Sequence, residues 1–458
     1  MSNKNLLTYG SKVYSVKQDY YAPVVVLPTS TGINLNSLYF FLSKVDPWAD
    51  ENNPPEPEQS QRYIKQTFKN MFVAKKITSN DVSPVIERKD WTTGTIYDFY
   101  DDTVDMLETD ANGYLVKNFY VRNKYDQVFK CLWNNDGGAS TVEPYFEPGT
   151  YSSTNIFQGA DGYKWKFMYV IDSGLKIKFL DSQWMPVPIG ANTPNPLVTS
   201  SGAGSIDTIN VINGGSSYDP ANSAITVTIT GDGTGAAATI GINEVANGVI
   251  TDVIVTAAGR NYTYANVAVT SAVGSNVQLS ICPSPVGGHG FDAKSELGCS
   301  HTMFSIEFNG TENNIVPVDI DFHQVGIVVN PTTVQYSPNP ANGTIYKTTT
   351  DFVLAPGFGV FTEDEMVFQG PTLAEATFTG TVLSFDTSTN VLRLINTVGT
   401  PVTNALVTGN TSTTVRTLFG FSTPNFVLQS GYIYYIENRS GIERSTDGIE
   451  QFKIVLGY

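Results

Sequence analysis

The chain has 458 residues, 15 % of them charged, and 43 acids against 27 bases give a net charge of −16. That length allows roughly two to four domains. The acidic balance excludes nucleic acid as a main partner, because tracking a phosphate backbone needs a Lys/Arg surface.

The 25 Phe, 24 Tyr and 5 Trp supply ample core, while Thr, Ser, Asn and Gly provide most of the polarity, as in all-β proteins with many turns. Cys131, Cys282 and Cys299 are too few and too scattered for a disulfide framework and suit a reducing cytoplasm. Residues 1–10 lack a signal pattern, and no apolar run approaches the roughly 18 residues of a membrane span, so no membrane partner is expected.

In chain order, residues 11–48 alternate strand-like runs with turns, including Val24-Val25-Val26-Leu27 and Leu38-Tyr39-Phe40-Phe41-Leu42. A Pro/Glu/Asn loop at 47–58 leads into a helix expected near 60–77. There Ile64, Phe68, Met71 and Phe72 recur at i, i+4, i+7 and i+8. From 90 to 180 the pattern is strand-like with glycine turns, and 192–204 reads as a linker. Residues 1–198 are therefore expected to form a main β-rich body.

Composition shifts next: between 191 and 290 the single base is Arg260. This stretch repeats itself at an offset of 44, with Ile206 through Tyr218 matching Ile250 through Tyr262. Ile225, Val227 and Ile229 alternate with threonines, and Asn247-Gly248 is a hairpin signal. Residues 199–284 thus read as an inserted β-domain with an internal duplication, since two copies are too few for a solenoid. Residues 285–335 continue the body. A second insert is expected over 336–424, where about five short alternating strands suggest a small barrel. Residues 425–458 add the C-terminal strands. The fold class is mainly β: a multi-domain β-sandwich or double-layer sheet body with few helices, plus two inserted small β-domains.

Little in the sequence points to chemistry. Gly231-Asp232-Gly233-Thr234-Gly235-Ala236 fits a relaxed dinucleotide fingerprint, but strand-like residues follow it where a phosphate-binding helix is needed. Cys282, His289, Cys299 and His301 could be zinc ligands, yet their spacing is irregular. Asp98, Asp101, Asp102 and Asp105, like Glu363-Asp364-Glu365, single out no acid–base pair for a glycosidase. No nucleophile elbow or P-loop is present. Tyr432, Tyr434, Tyr435, Trp91 and Trp165 suit core packing first, and a sugar-stacking platform or interface hot spot second.

Three aromatic-rich phrases stand out: Val85-Ile86-Glu87-Arg88-Lys89-Asp90-Trp91, Ala160-Asp161-Gly162-Tyr163-Lys164-Trp165, and Ser430-Gly431-Tyr432-Ile433-Tyr434-Tyr435-Ile436-Glu437-Asn438-Arg439. With Ser43-Lys44-Val45-Asp46-Pro47-Trp48, Phe322-His323-Gln324-Val325-Gly326-Ile327-Val328-Val329-Asn330-Pro331 and Gln451-Phe452-Lys453-Ile454-Val455-Leu456, they are colinear with segments of a known family. In this respect the chain resembles the baseplate wedge protein (gene product eight type) of T-even-like contractile-tailed bacteriophages. The likeness covers about 1–195, 285–335 and 425–458; the two inserts have no counterpart in the T-even form.

The resemblance implies a non-enzymatic structural protein of the virion tail baseplate, made and assembled in the host bacterial cytoplasm. It implies a homodimer that joins other wedge proteins, with no catalytic residues, metal or cofactor. The alternative is a tail-associated receptor- or glycan-binding protein that uses the inserted β-domains.

Overall fold

The computed structural model describes residues 37–458 apart from 112, 151–155, 189–202, 286, 338, 446–447 and 458, together with the backbone of the strands Lys4–Tyr9 and Lys12–Lys17. The strand-like run at 24–27 and most of the linker at 192–204 lie outside these residues. Strands take 45 % of the chain and helices 6 %, against roughly 20–25 % strand in an ordinary domain. The chain is mainly β, with several antiparallel sheets and a closed barrel. Its contacts define two compact units, Met1–Val82 with Ser305–Ile454, and Ser83–Phe304 with Val455–Tyr458.

In the first unit a five-stranded antiparallel sheet runs in the order Ile345–Lys347, Met71–Lys76, Leu38–Ser43, Ile320–Val329, Tyr432–Arg444. Tyr39, Phe40, Phe41 and Leu42 are all fully buried, so Leu38–Ser43 has a core on both faces. One face sets Tyr39, Phe41, Met71 and Val328 against Phe68 of the helix Gln61–Asn70. The other sets Phe40 against Phe452 and Phe308, at ring distances of 4.9 and 6.1 Å, which makes the double layer.

The helix expected near 60–77 is confined to Gln61–Asn70. Ser60 Oγ accepts from the Tyr63 N–H (3.2 Å) and starts it, and Ile64 and Phe68 face the core as the spacing requires. Met71 is already extended and begins the strand Met71–Lys76. Met71, Phe72, Val73 and Ala74 are all fully buried. Four consecutive buried residues fit a central strand, whereas a helix would turn part of them to water. The strand-like stretch at 90–180 likewise contains an unexpected helix, Ser173–Phe179. Its one advance sign is Asp172, whose carboxylate accepts from Leu175 N–H (2.9 Å) as an N-cap.

A closed barrel follows the strand order Thr350–Leu354, Val391–Gly399, Phe378–Asp386, Met366–Gln369, Leu406–Gly409, Val415–Ser422. It has six strands where the alternation suggested about five, and the alternating runs at 367–370, 379–385 and 391–394 fall on three of them. Ile345–Lys347, which the sequence placed in this module, pairs instead with Met71–Lys76 of the body sheet.

The second unit holds a four-stranded sheet in the order Tyr120–Arg122, Gln127–Asn134, Tyr163–Val170, Ile156–Gln158. One face is an aromatic core of Tyr97, Phe129, Tyr163, Trp165 and Phe167. The inserted duplication pairs its halves with each other. Ile209–Ser216 pairs with Ser275–Ile281, Ile225–Gly231 with Ala265–Ser271, and Thr234–Thr239 with Ile254–Arg260. One backbone bond is made twice with the halves exchanged: Tyr218 N–H to Gly248 O (3.0 Å) and Tyr262 N–H to Gly204 O (3.1 Å).

Gly215 and Gly259 occupy matching left-handed positions, at φ 66° and 65°. A Cβ on Gly259 would lie 2.5 Å from Ala236 N. Gly259→Val is therefore expected to destabilise the insert by about 3 kcal/mol. Hydrogen exchange should rise across 205–284 and stay unchanged in the barrel; unchanged protection in the insert would refute this.

Candidate functional site

The aromatic phrases serve the cores and seams of the units that carry them. In the second unit the first two phrases meet through Ser140. Trp91 Nε1 donates to Ser140 Oγ (3.0 Å), and that hydroxyl donates to Asp161 Oδ2 (3.2 Å). Asp161 also accepts from the N–H groups of Thr141 and Val142 (2.7 and 2.9 Å). Trp165 is fully buried, stacked on Tyr163 at 5.5 Å and edge-on to Tyr97 at 5.3 Å. In the first unit Tyr435 is buried as well. Burial withdraws Trp165 and Tyr435 from the sugar-platform reading; Tyr432, 41 % exposed, keeps a face open to water.

The titratable groups with the most unusual surroundings lie on the opposite face of the second unit's sheet. Lys130 stands across the strands from Lys166, and Lys164 lies two residues along from Lys166. All three are buried. Lys130 Nζ donates to His289 Nδ1 (3.2 Å) and Glu296 Oε2 (3.1 Å) and lies 4.1 Å from the Tyr100 ring centroid. Burial holds Lys130 and Lys166 below the ordinary lysine value. His289 is held down by burial and then by the Lys130 charge. Burial pushes Glu296 up, but the neighbouring His289 and Lys130 outweigh it, leaving the carboxyl below its usual range.

Buried lysines of lowered pKa are the equipment of amine catalysis when a substrate can reach them. Here they are enclosed. Lys164 Nζ donates to Ile209 O (3.0 Å) and Asp252 Oδ1 (2.9 Å), both in the inserted β-domain, so this lysine ties the insert to the sheet. The sequence concealed this group because Tyr163-Lys164-Trp165-Lys166-Phe167 reads as a strand with one wet face. The insert that covers the lysines comes from more than 40 residues further on.

In the first unit Lys44, 3 % exposed, is enclosed by Asp321 (2.6 Å), Asp364 (3.1 Å) and Glu363. Among the described residues these three carboxylates are the one group with metal-holding geometry, and Lys44 already supplies their cation. Burial alone would lower the Lys44 pKa, but the hydrogen bonds to Asp321 and Glu363 hold it above its ordinary value. Beside this cluster, His323 Nε2 lies 3.2 Å from Glu51 Oε1, and the Trp48 ring meets His323 edge-on at 6.3 Å. Trp48 Nε1 donates to Arg439 O (2.6 Å). Tyr63 OH donates to Asn438 Oδ1 (2.8 Å), and Gln324 Nε2 donates to the same oxygen (2.7 Å).

The candidates weighed from sequence fall apart in space. Cys282 Sγ donates to Asp102 Oδ1 (3.3 Å), and burial pushes its thiol up to about 12. His289 is in the lysine group, and Cys299 Sγ donates to Val85 O (3.4 Å). His301 lies against the Trp184 ring at 4.5 Å, where burial lowers its pKa to about 4. Among the described residues no three of these four come within ligand distance of one another. Gly231-Asp232-Gly233 joins the strands Ile225–Gly231 and Thr234–Thr239 with no helix after it. Asp232 accepts from Thr263 Oγ1 (2.5 Å) and Thr263 N–H (2.9 Å), which hold its carboxyl at about 2. Asp101 and Asp105 accept from local backbone N–H groups in their own turns (2.8 and 3.0 Å). Glu365 accepts from the N–H groups of Thr362, Thr411 and Ser412 (2.7 to 2.9 Å) inside the barrel module. No protein-family model matches the chain, and no curated protein matches it either.

Proposed function

We propose that the chain is a structural subunit of a contractile phage tail baseplate wedge, homodimerising and bridging other wedge proteins in the virion. One observation carries the reading. Trp48, His323, Gln324, Asn438 and Arg439, from three of the segments that bear the family resemblance, belong to a single polar seam in the first unit. Segments nearly 400 residues apart are used to hold one another. The buried ionic groups play the same part: Lys164 secures the inserted β-domain, and Lys44 joins the body strand carrying Asp321 to the barrel module carrying Glu363 and Asp364. Such an arrangement suits a load-bearing scaffold, and the reading includes no catalysis and no cofactor.

Mixing the purified chain with the other wedge proteins is expected to give a stable co-sedimenting complex. A chain that stays separate would count against the reading. Binding on a glycan array without co-assembly would favour the alternative, a receptor- or glycan-binding tail protein. That alternative draws on the exposed Thr226, Thr228, Thr230, Asn266 and Thr270 of the inserted domain, a row of hydrogen-bonding groups on two paired strands.

A further inference from the structure

Acids number 43 in the 458 residues, yet the 50 residues from 387 to 436 contain none. That stretch supplies the barrel strands Val391–Gly399, Leu406–Gly409 and Val415–Ser422. The barrel also exposes large apolar side chains, three of them on these strands: Phe419 is 75 % exposed, Leu406 58 % and Val415 47 %, while Phe358 at 98 %, Val360 at 57 % and Val353 at 44 % lie outside the acid-free stretch.

These residues form one patch. Thr350–Leu354, Val415–Ser422 and Leu406–Gly409 are neighbours in that order, with Val353 opposite Gly420, Leu406 opposite Thr417 and Thr408 opposite Val415. Phe419 is the extra residue where the register shifts between Val353 and Leu354, a bulge that leaves its ring outside the core. The loop carrying Phe358 and Val360 is bound to the same strand. Arg416 donates to Phe358 O (3.1 Å) and Gly359 O (2.7 Å), and Thr414 Oγ1 donates to Val360 O (3.0 Å). The patch is therefore held in place before anything binds it. Its six side chains expose on the order of 700 Å², close to the ~800 Å² per partner of a standard interface and above the usual patch of a monomer.

We infer that this barrel face is a self-association surface, covered by the same face of a second copy. Charge selects that occupant. Two chains at −16 each repel wherever their carboxylates meet. Leu406, Val415 and Phe419 lie on acid-free strands, so that part of the patch lets two copies close with little such cost. A basic partner would find few carboxylates to pair with there. An isologous contact also closes on itself and yields a finite dimer. The inference goes beyond the wedge reading: it rests on the barrel alone and names where two copies touch.

The test is sedimentation velocity of the full chain from sub-micromolar to tens of micromolar, with Phe419→Asp, Phe358→Asp and the double variant. The wild type is expected to dimerise, and more tightly at higher salt as the remaining repulsion is screened. Each single variant should raise the dissociation constant at least about tenfold, and the pair on the order of 100-fold, as for hot-spot aromatics. Ile177→Asp, at a residue 74 % exposed in the other unit, should leave it unchanged. Phe419→Ser, with circular dichroism of every variant, separates lost association from lost folding. A wild type that stays monomeric, or a dimer that survives the double variant, would overturn the inference. A dimer that survives the double variant and still co-assembles with wedge proteins would overturn it and leave the wedge reading standing. Co-assembly lost in Phe419→Asp from a monomeric chain would give this face to a different protein.

Discussion

Arg444→Met is expected to cost about 3–5 kcal/mol of stability in the first unit. Arg444 is fully buried at the end of the strand Tyr432–Arg444. Its Nε and Nη2 donate to Glu450 Oε2 (3.0 and 2.8 Å), Nη1 to Pro317 O (2.7 Å), and Nη2 to Gly310 O (2.8 Å). Methionine would leave the Glu450 carboxylate, 8 % exposed, without its counter-charge and would strip two carbonyls of their donor. Arg444→Lys should rescue little, because an ammonium cannot span the three acceptors as a planar fork does. Arg444→Met with Glu450→Gln should recover part of the loss, since no bare charge remains. Urea unfolding of the four proteins measures these differences; an unchanged midpoint in Arg444→Met would show the network to be idle.

The second large effect depends on pH. Glu437 lies on the same strand, 6 % exposed, with Oε2 making no hydrogen bond and Arg439 Nε 3.6 Å from Oε1. Burial raises its carboxyl from 4.5 to about 7, and the Arg439 charge offsets only part of that rise. The folded chain thus holds this proton more tightly than the unfolded chain. Stability from this group is greatest below pH 4.5, falls as pH rises to about 7, and is flat above. At about 1.36 kcal/mol per pH unit, the loss across that window is about 3 kcal/mol. Glu437→Gln should therefore be the more stable protein at pH 8, by up to about 3 kcal/mol, and equal to wild type near pH 4.5. Parallel stability–pH curves for the two proteins would contradict this.

Both effects arise in places that sequence could not reveal. Ile436-Glu437-Asn438-Arg439 reads as a strand leaving the core for water, yet Glu437 is covered and Arg439 lies 5.7 Å from the ring of Phe452, which belongs to the last strand. Period-two alternation exposed the β class and the barrel, because each depends on local pattern. The helical spacing of Ile64, Phe68, Met71 and Phe72 overran the helix at Met71, where neighbouring strands bury both faces. The repeat at offset 44 was visible as likeness between halves. That first-half strands would pair with second-half strands was not, since likeness says nothing about partners. The buried lysines were hidden for a related reason: only the covering insert tells a wet face from a sealed one.

The most direct measurement is a density reconstruction of an assembled contractile tail that contains this chain. The scaffold reading predicts paired copies within the baseplate wedge, bodies against neighbouring wedge proteins and barrels face to face through Phe358 and Phe419. Copies found singly at a fibre tip, or no copies in the baseplate, would contradict it.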